Sequence, residues 1–179
     1  MEKKDIKVVN IVVSASLGHD IPLEKMAATL SNTEYNPEQF PGLVIRIKEP
    51  KTSALIFSSG KIVCTGARSM DKVVESVQKI IKSLEKIGIK IEKVPELKIQ
   101  NIVASGSVGM DLNLNTLAMK LDNTEYEPEQ FPGLVYKLAE AKATFLLFSN
   151  GKVVCTGTKS EEAVHTALDK LIENLKKIK

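Results

Sequence analysis

The side chains that could act as nucleophiles or metal ligands are few in this chain. Cys64 and Cys155 are its two cysteines, His19 and His165 its two histidines. Neither cysteine sits in a CxxC, neither histidine is near a cysteine in sequence, and no ligand spacing for a metal is present. No nucleophile–base pair or phosphate loop stands out. What the sequence offers instead is stacking and hydrogen-bond donation. Of five phenylalanines, Phe40 and Phe57 return as Phe131 and Phe148, and Asn10 and Thr65 return as Asn101 and Thr156. Phenyl rings can stack on other flat groups or pack in a core, and amide and hydroxyl groups can donate to acceptors.

These returns share one offset, 91 positions. Asn32-Thr33-Glu34-Tyr35-Asn36-Pro37-Glu38-Gln39-Phe40-Pro41-Gly42-Leu43-Val44 recurs as 123–135 with only Asn36 changed, to Glu127. Aligned without gaps, residues 10–66 and 101–157 are identical at 33 of 57 positions, so the chain is a tandem duplication. The period is too long for a solenoid unit. Each half is large enough to fold, and the two can pack with approximate two-fold symmetry. The expected division is 1–94 and 95–179, with Pro95 at the joint.

Composition narrows the class. The chain has 179 residues, 43% apolar and 4% aromatic, without tryptophan. That suffices for an ordinary core. No apolar run approaches a membrane span. The charged opening Met1-Glu2-Lys3-Lys4-Asp5 is unlike a signal peptide, which points to an intracellular protein. A net charge of +3 is too mild to announce nucleic-acid binding by itself.

The elements follow from periodicity. In the first half, residues 6–14, 43–48, 53–57 and 61–65 read as strands. Asp20 is placed to cap a short helix that reaches Leu30, with 32–42 a long turn-rich connection. Ser69 caps a long helix to Ile87, whose apolar set Val73, Val74, Val77, Ile80, Ile81 and Leu84 has helical spacing. Gly88 ends it, and 89–94 offers an edge strand. In the second half, Ser160 caps the last helix. Strands with helices on one side give an α+β fold with an antiparallel sheet.

Alternation sorts the strand side chains. Ile11, Val13, Ile62, Cys64, Phe145 and Leu147 form a wholly apolar set suited to the helices. Asn10, Val12, Ser14, Val63, Thr65, Thr144, Leu146 and Phe148 form a mixed set with no helix left to cover it. An apolar face of that kind marks a binding surface. A lone strand phenylalanine is ordinarily core, but the paired recurrence of four out of five argues against that here.

The blocks QNIV, EYxPEQFPGLV and LxFxxGKxVxTG, or close variants, occur twice and resemble the conserved core of the TATA-box-binding protein family over nearly the whole chain. The resemblance implies a pseudo-two-fold saddle, a curved antiparallel sheet of about ten strands with four helices on the convex side. It implies a general transcription initiation factor that bends A·T-rich DNA through the minor groove, is not an enzyme and needs no cofactor or metal. Phe40, Phe57, Phe131 and Phe148 match wedges that enter base steps. Asn10, Thr65, Asn101 and Thr156 match donors to groove acceptors, and Val12, Leu55, Val63, Val103, Leu146 and Val154 match positions flat on the groove floor. β-branched residues favour strands in any case. Arg46, Lys61, Arg68, Lys137, Lys152 and Lys159 match phosphate contacts, although ordinary surface charge accounts equally for any one of them. Glu127 and Glu129 match positions that dock a transcription factor B type protein, and solvated loop acids are the alternative. The implied partners are double-stranded TATA-box DNA, that initiation factor, RNA polymerase indirectly, and a second copy in a weak DNA-free homodimer, but no membrane. The implied location is the archaeal nucleoid or the eukaryotic nucleus.

The resemblance is incomplete at one turn. Glu49-Pro50-Lys51 carries the family's turn proline, and Glu140-Ala141-Lys142 lacks it. A buried-face thiol enzyme and a saddle-like scaffold for protein or ligand are the rival readings.

Overall fold

Twelve residues of near-continuous Val, Ile and Ser open the described chain as strand β1, Asp5–Ser16. The computed structural model describes residues 5–178; the charged opening Met1–Lys4 and the last residue, Lys179, lie outside it. After β1 come helix α1 (Leu23–Thr29) and strands β2 (Thr33–Glu34), β3 (Leu43–Ile47), β4 (Thr52–Ile56) and β5 (Lys61–Ala67), then helix α2 (Met70–Lys86). The order repeats as β6 (Lys98–Ser107), α3 (Leu114–Lys120), β7 (Thr124–Glu125), β8 (Leu134–Leu138), β9 (Ala143–Leu147), β10 (Lys152–Thr158) and α4 (Glu161–Lys177). The described residues thus carry ten strands and four α-helices, with antiparallel pairing in both halves.

The chain forms two compact units. One is Asn10–Gln100; the other is Asn101 onward, joined by the residues up to Val9. The boundary falls inside β1, so Ile6 packs against the core that holds Phe145 and Leu171, while Asn10 belongs with Thr65. In the first unit the strand order is β2-β3-β4-β5-β1, and in the second β6-β10-β9-β8-β7.

Burial alternates along β3, β4, β8 and β9, and along β5 and β10 up to their bulge glycines. On β3, β4 and β5 the inward residues Leu43, Ile45, Ala54, Ile56, Ile62 and Cys64 are buried. Val73, Val77, Ile80 and Leu84 of α2 are buried as well. In the second unit Leu134, Phe145, Leu147, Val153 and Cys155 are buried with Leu168, Leu171 and Leu175 of α4. Each such Leu or Phe contributes about 1.5–3 kcal/mol by leaving water.

Helix starts follow the expected chemistry in three cases. Ser69 Oγ accepts the Lys72 N–H at 3.3 Å, Ser160 Oγ the Ala163 N–H at 3.0 Å, and Asn113 Oδ1 the Thr116 N–H at 3.1 Å. The expected Asp20 cap is not formed. The Ile21 N–H is bonded to the Ser58 carbonyl, and Pro22 holds the cap position of α1 without a side-chain bond.

The expected edge strand at 89–94 is also absent. The Ile89 N–H is spent on the Leu84 carbonyl at 2.9 Å, behind Gly88 at φ +90°, and Ile89 is buried. This closes α2 in the manner of a Schellman ending, and no strand follows before β6. The fifth strand of each unit is instead the two-residue β2 or β7, inside the connection read as turns. Thr33 pairs with Ile45, and Thr124 with Tyr136. The proline difference is visible too: Glu49–Pro50 is a cis peptide, whereas 139–141 form a 3-10 turn that ends on Lys142 at φ 51°.

Candidate nucleic-acid interface

The outward residues of the same strands form a face that no helix covers within its unit. Register places Val44 opposite Leu55, Leu55 opposite Val63, and Val63 opposite Ser14. In the second unit the row is Val135, Leu146, Val154 and Ser105. All eight side chains are half-buried, where their inward neighbours are buried. Val12 and Val103 share this half-buried state. Ser14 was placed on this face by alternation, whereas Val44, Val135 and Ser105 were not among the residues expected there from sequence. Alternation from buried Leu43 and Leu134 would have placed the two valines there.

Before β3 and after β4, and again before β8 and after β9, stand two phenylalanines. Phe40 and Phe57 meet edge to face with centroids 5.9 Å apart at 66°, and Phe131 and Phe148 do the same at 5.9 Å and 70°. Phe40 is 42% exposed and Phe131 41%, unlike Phe145 at 0%. The pair is therefore presented to solvent. Its rings are steadied by each other, because Phe40 leads β3 and Phe57 follows β4.

On β1 in one unit and β6 in the other, one asparagine lies against a bulge glycine. Asn10 Oδ1 accepts the Gly66 N–H at 2.6 Å, and Asn10 Nδ2 donates to Thr65 Oγ1 at 3.1 Å. Asn101 accepts from Gly157 at 2.7 Å and donates to Thr156 at 2.9 Å. A backbone N–H can only donate, so it fixes which end of the amide is oxygen. One amide hydrogen is spent on the threonine and one remains. The glycines are required here: Gly66 and Gly157 lie at φ +97° and +94°, where the ladders of β1 with β5 and of β6 with β10 shift register.

The basic positions are all exposed. Arg46 is the one of them in an ion pair among the described residues, with Glu34 at 3.2 Å. Lys61, Arg68, Lys137, Lys152 and Lys159 have none there. Glu127 and Glu129 are exposed in the turn before Phe131, whose N–H donates to the Glu127 carbonyl at 3.0 Å.

The cysteines lie on the buried face. Burial raises the Cys64 thiol above its ordinary value and pushes Cys155 up to about 11. Among the described residues no group of His, Cys, Asp and Glu is arranged to hold a metal. No helix there is long and apolar enough to cross a membrane.

Comparison with known proteins gives a consistent answer. The family described as Transcription factor TFIID (or TATA-binding protein, TBP) matches residues 5–87 and again 96–178. The TATA-box-binding protein of Methanosphaera stadtmanae is 50% identical over 175 residues, covering 98% of this chain and 96% of that one. That of Methanothermobacter thermautotrophicus is 51% identical over 170 residues, covering 95% and 94%. A solved structure, Methanococcus jannaschii TBP, superposes with a TM-score of 0.90 at 51% identity, covering 97% of this chain and 99% of that one. With both repeats matched and half of all residues shared, this chain belongs to the TATA-box-binding protein family of general transcription factors, DNA-binding proteins that are not enzymes.

Proposed function

We propose that the uncovered face of each unit reads the minor groove of A·T-rich promoter DNA and that the phenylalanine pairs wedge into base steps and bend the duplex. The observation that carries this reading is the make-up of that face, the same in both units. It has an apolar floor, an oriented asparagine–threonine pair at one end and two presented phenyl rings at the other. A·T pairs offer the minor groove only acceptors, A N3 and T O2, while G·C pairs add an amino donor. The amide hydrogen left on Asn10 or Asn101 suits an acceptor and opposes that amino group. The apolar floor makes no demand for hydrogen bonds, and a wedge replaces the stacking that a kink removes.

Arg46, Lys61, Arg68, Lys137, Lys152 and Lys159 hold phosphates in this account, which fixes register without reading sequence. Arg46 must leave Glu34 to do so. Glu127 and Glu129 serve as the acidic docking point for a transcription factor B type protein, which brings RNA polymerase. Glu127 replaces Asn36 of the first repeat, while Glu129 matches Glu38, so the two-acid point exists in the second repeat only and can give the complex a direction. With archaeal relatives, the protein works at the nucleoid.

A gel shift with an A·T-rich duplex against a G·C-rich one of equal length tests the reading. Tighter binding to the A·T-rich duplex is expected, and equal binding to both at one salt concentration would sink it. Loss of a transcription factor B type protein from the DNA complex of Glu127→Lys, with DNA binding unchanged, tests the docking point; full retention contradicts it.

A further inference from the structure

The segment Phe40-Pro41-Gly42 and its copy Phe131-Pro132-Gly133 contain a glycine whose backbone does not need one. Neither Gly42 nor Gly133 is among the glycines with positive φ, so an ordinary L-residue could adopt its conformation. Both are buried. Each precedes the inward residue of its strand, Leu43 or Leu134, so a side chain here would rise on the open face beside Val44 or Val135.

That space is already taken. A Cβ on Gly42 would lie 2.7 Å from Phe40 Cε2 and 3.0 Å from Phe57 Cε1. A Cβ on Gly133 would lie 2.7 Å from Phe131 Cε2 and 3.0 Å from Phe148 Cε1. Carbon atoms pack comfortably at about 3.5–4.0 Å. The atoms met first are ring edges, and no backbone atom is among the nearest three at either position. A methyl group would therefore push the rings and leave the strand in place.

We infer that Gly42 and Gly133 are positioning residues for the phenylalanine pairs: the missing Cβ lets both rings settle over the chain and sets the angle at which the pair meets a base step. This rests on the wedge reading proposed above. The recurrence of the same two distances in both units shows that the seat is built twice. It also explains why two bulky side chains on neighbouring strands hold an edge-to-face pose on the open face.

Gly42→Ala and Gly133→Ala, alone and each combined with Phe40→Leu or Phe131→Leu, test the inference. The readouts are affinity for an A·T-rich duplex, bend angle from end-to-end fluorescence transfer, and 2-aminopurine brightness at each end of the site, which reports unstacking. Each single glycine variant should bind about tenfold more weakly, bend less, and lose brightness at one end only. The melting temperature without DNA should stay close to that of the unaltered chain. Trimming the nearer ring to Leu removes the 2.7 Å contact and leaves only the looser approach of Phe57 or Phe148, so the two changes should be strongly non-additive within a pair.

Additive effects, or unchanged bend and brightness, would overturn the inference. So would loss of folding in both alanine variants, since the Cβ is argued to move only rings. Phe57→Ala and Phe148→Ala serve as the separate control. If they leave bending intact, the wedge reading fails; if they abolish it while the alanine variants do nothing, only the glycine inference fails.

Discussion

The side-chain oxygen of Asn10 accepts the backbone N–H of Gly66 at 2.6 Å, which turns the amide nitrogen toward Thr65 and the open face. Asn101 and Gly157 repeat the relationship at 2.7 Å. Orientation is thus set by the backbone before any DNA arrives. Asn10→Asp and Asn101→Asp keep the size and the bond to glycine, but replace the donor with a negative charge. Loss of one good base contact costs about 1–3 kcal/mol, and repulsion from A N3 and T O2 adds to it. Titrations of a TATA-like and a scrambled duplex at one salt concentration check this. Affinity should fall more on the TATA-like duplex, and equal losses on both would show that these residues do not read the groove.

Phe57→Ala and Phe148→Ala should each weaken binding by about 1–3 kcal/mol, the order of the unstacking cost that a wedge offsets. Because both rings are only half-buried, melting without DNA should change little. Phe145 provides the contrast. It is fully buried, so Phe145→Ala should cost about 3–5 kcal/mol of stability while acting on DNA only through that loss. Thermal melts of the three variants separate the roles.

Salt dependence tests the phosphate contacts. Six basic positions on phosphate give a slope of log K against log salt of roughly −5, at about −0.9 per phosphate. Lys152→Ala should reduce the slope by about 1 on every sequence. Glu34→Gln should tighten binding, because it releases the Arg46 guanidinium from its 3.2 Å partner. A slope that Lys152→Ala leaves unchanged would remove that lysine from the interface.

The cysteines should be inert in the folded chain. Cys155 is pushed from an ordinary 9.0 to about 11 by burial, so folding favours its neutral thiol. A raised acid contributes its stability below the unfolded value and loses it as pH rises toward the folded one. Stability should therefore decline between pH 9 and 11, and Cys155→Ala should flatten that decline. Iodoacetamide at pH 8 should label both thiols only on unfolding. Fast native labelling that abolishes DNA binding would revive a thiol-based activity.

Much of this architecture can be read from residue order. The alternation of Val12, Val63 and Thr65 against Ile11, Ile62 and Cys64 predicts the two faces, and Ser69 and Ser160 predict where the long helices begin. What escaped depends on partners distant in sequence. Thr33 and Glu34 become a strand only because β3 returns beside them. Residues 89–94 have strand-like composition, yet Ile89 gives its N–H to the end of α2. Asp20 is capable of capping, but Ile21 is drawn to Ser58 and leaves Pro22 at the helix start. The exchange of unit within β1, between Val9 and Asn10, has no local signal at all. At the interface, the types of Asn10 and Thr65 were informative, whereas the bulge that orients them was hidden in a glycine that could as well have marked a turn.

The most direct test replaces chosen A·T pairs of a bound duplex with inosine·cytosine, and in parallel with G·C. Inosine lacks the minor-groove amino group of guanine, so its pair resembles A·T in the minor groove and G·C in the major groove. Affinity should survive inosine·cytosine to within a few-fold and fall steeply with G·C. If inosine·cytosine binds as poorly as G·C, recognition does not lie in the minor groove, and the role given to the Asn10 and Asn101 faces is wrong.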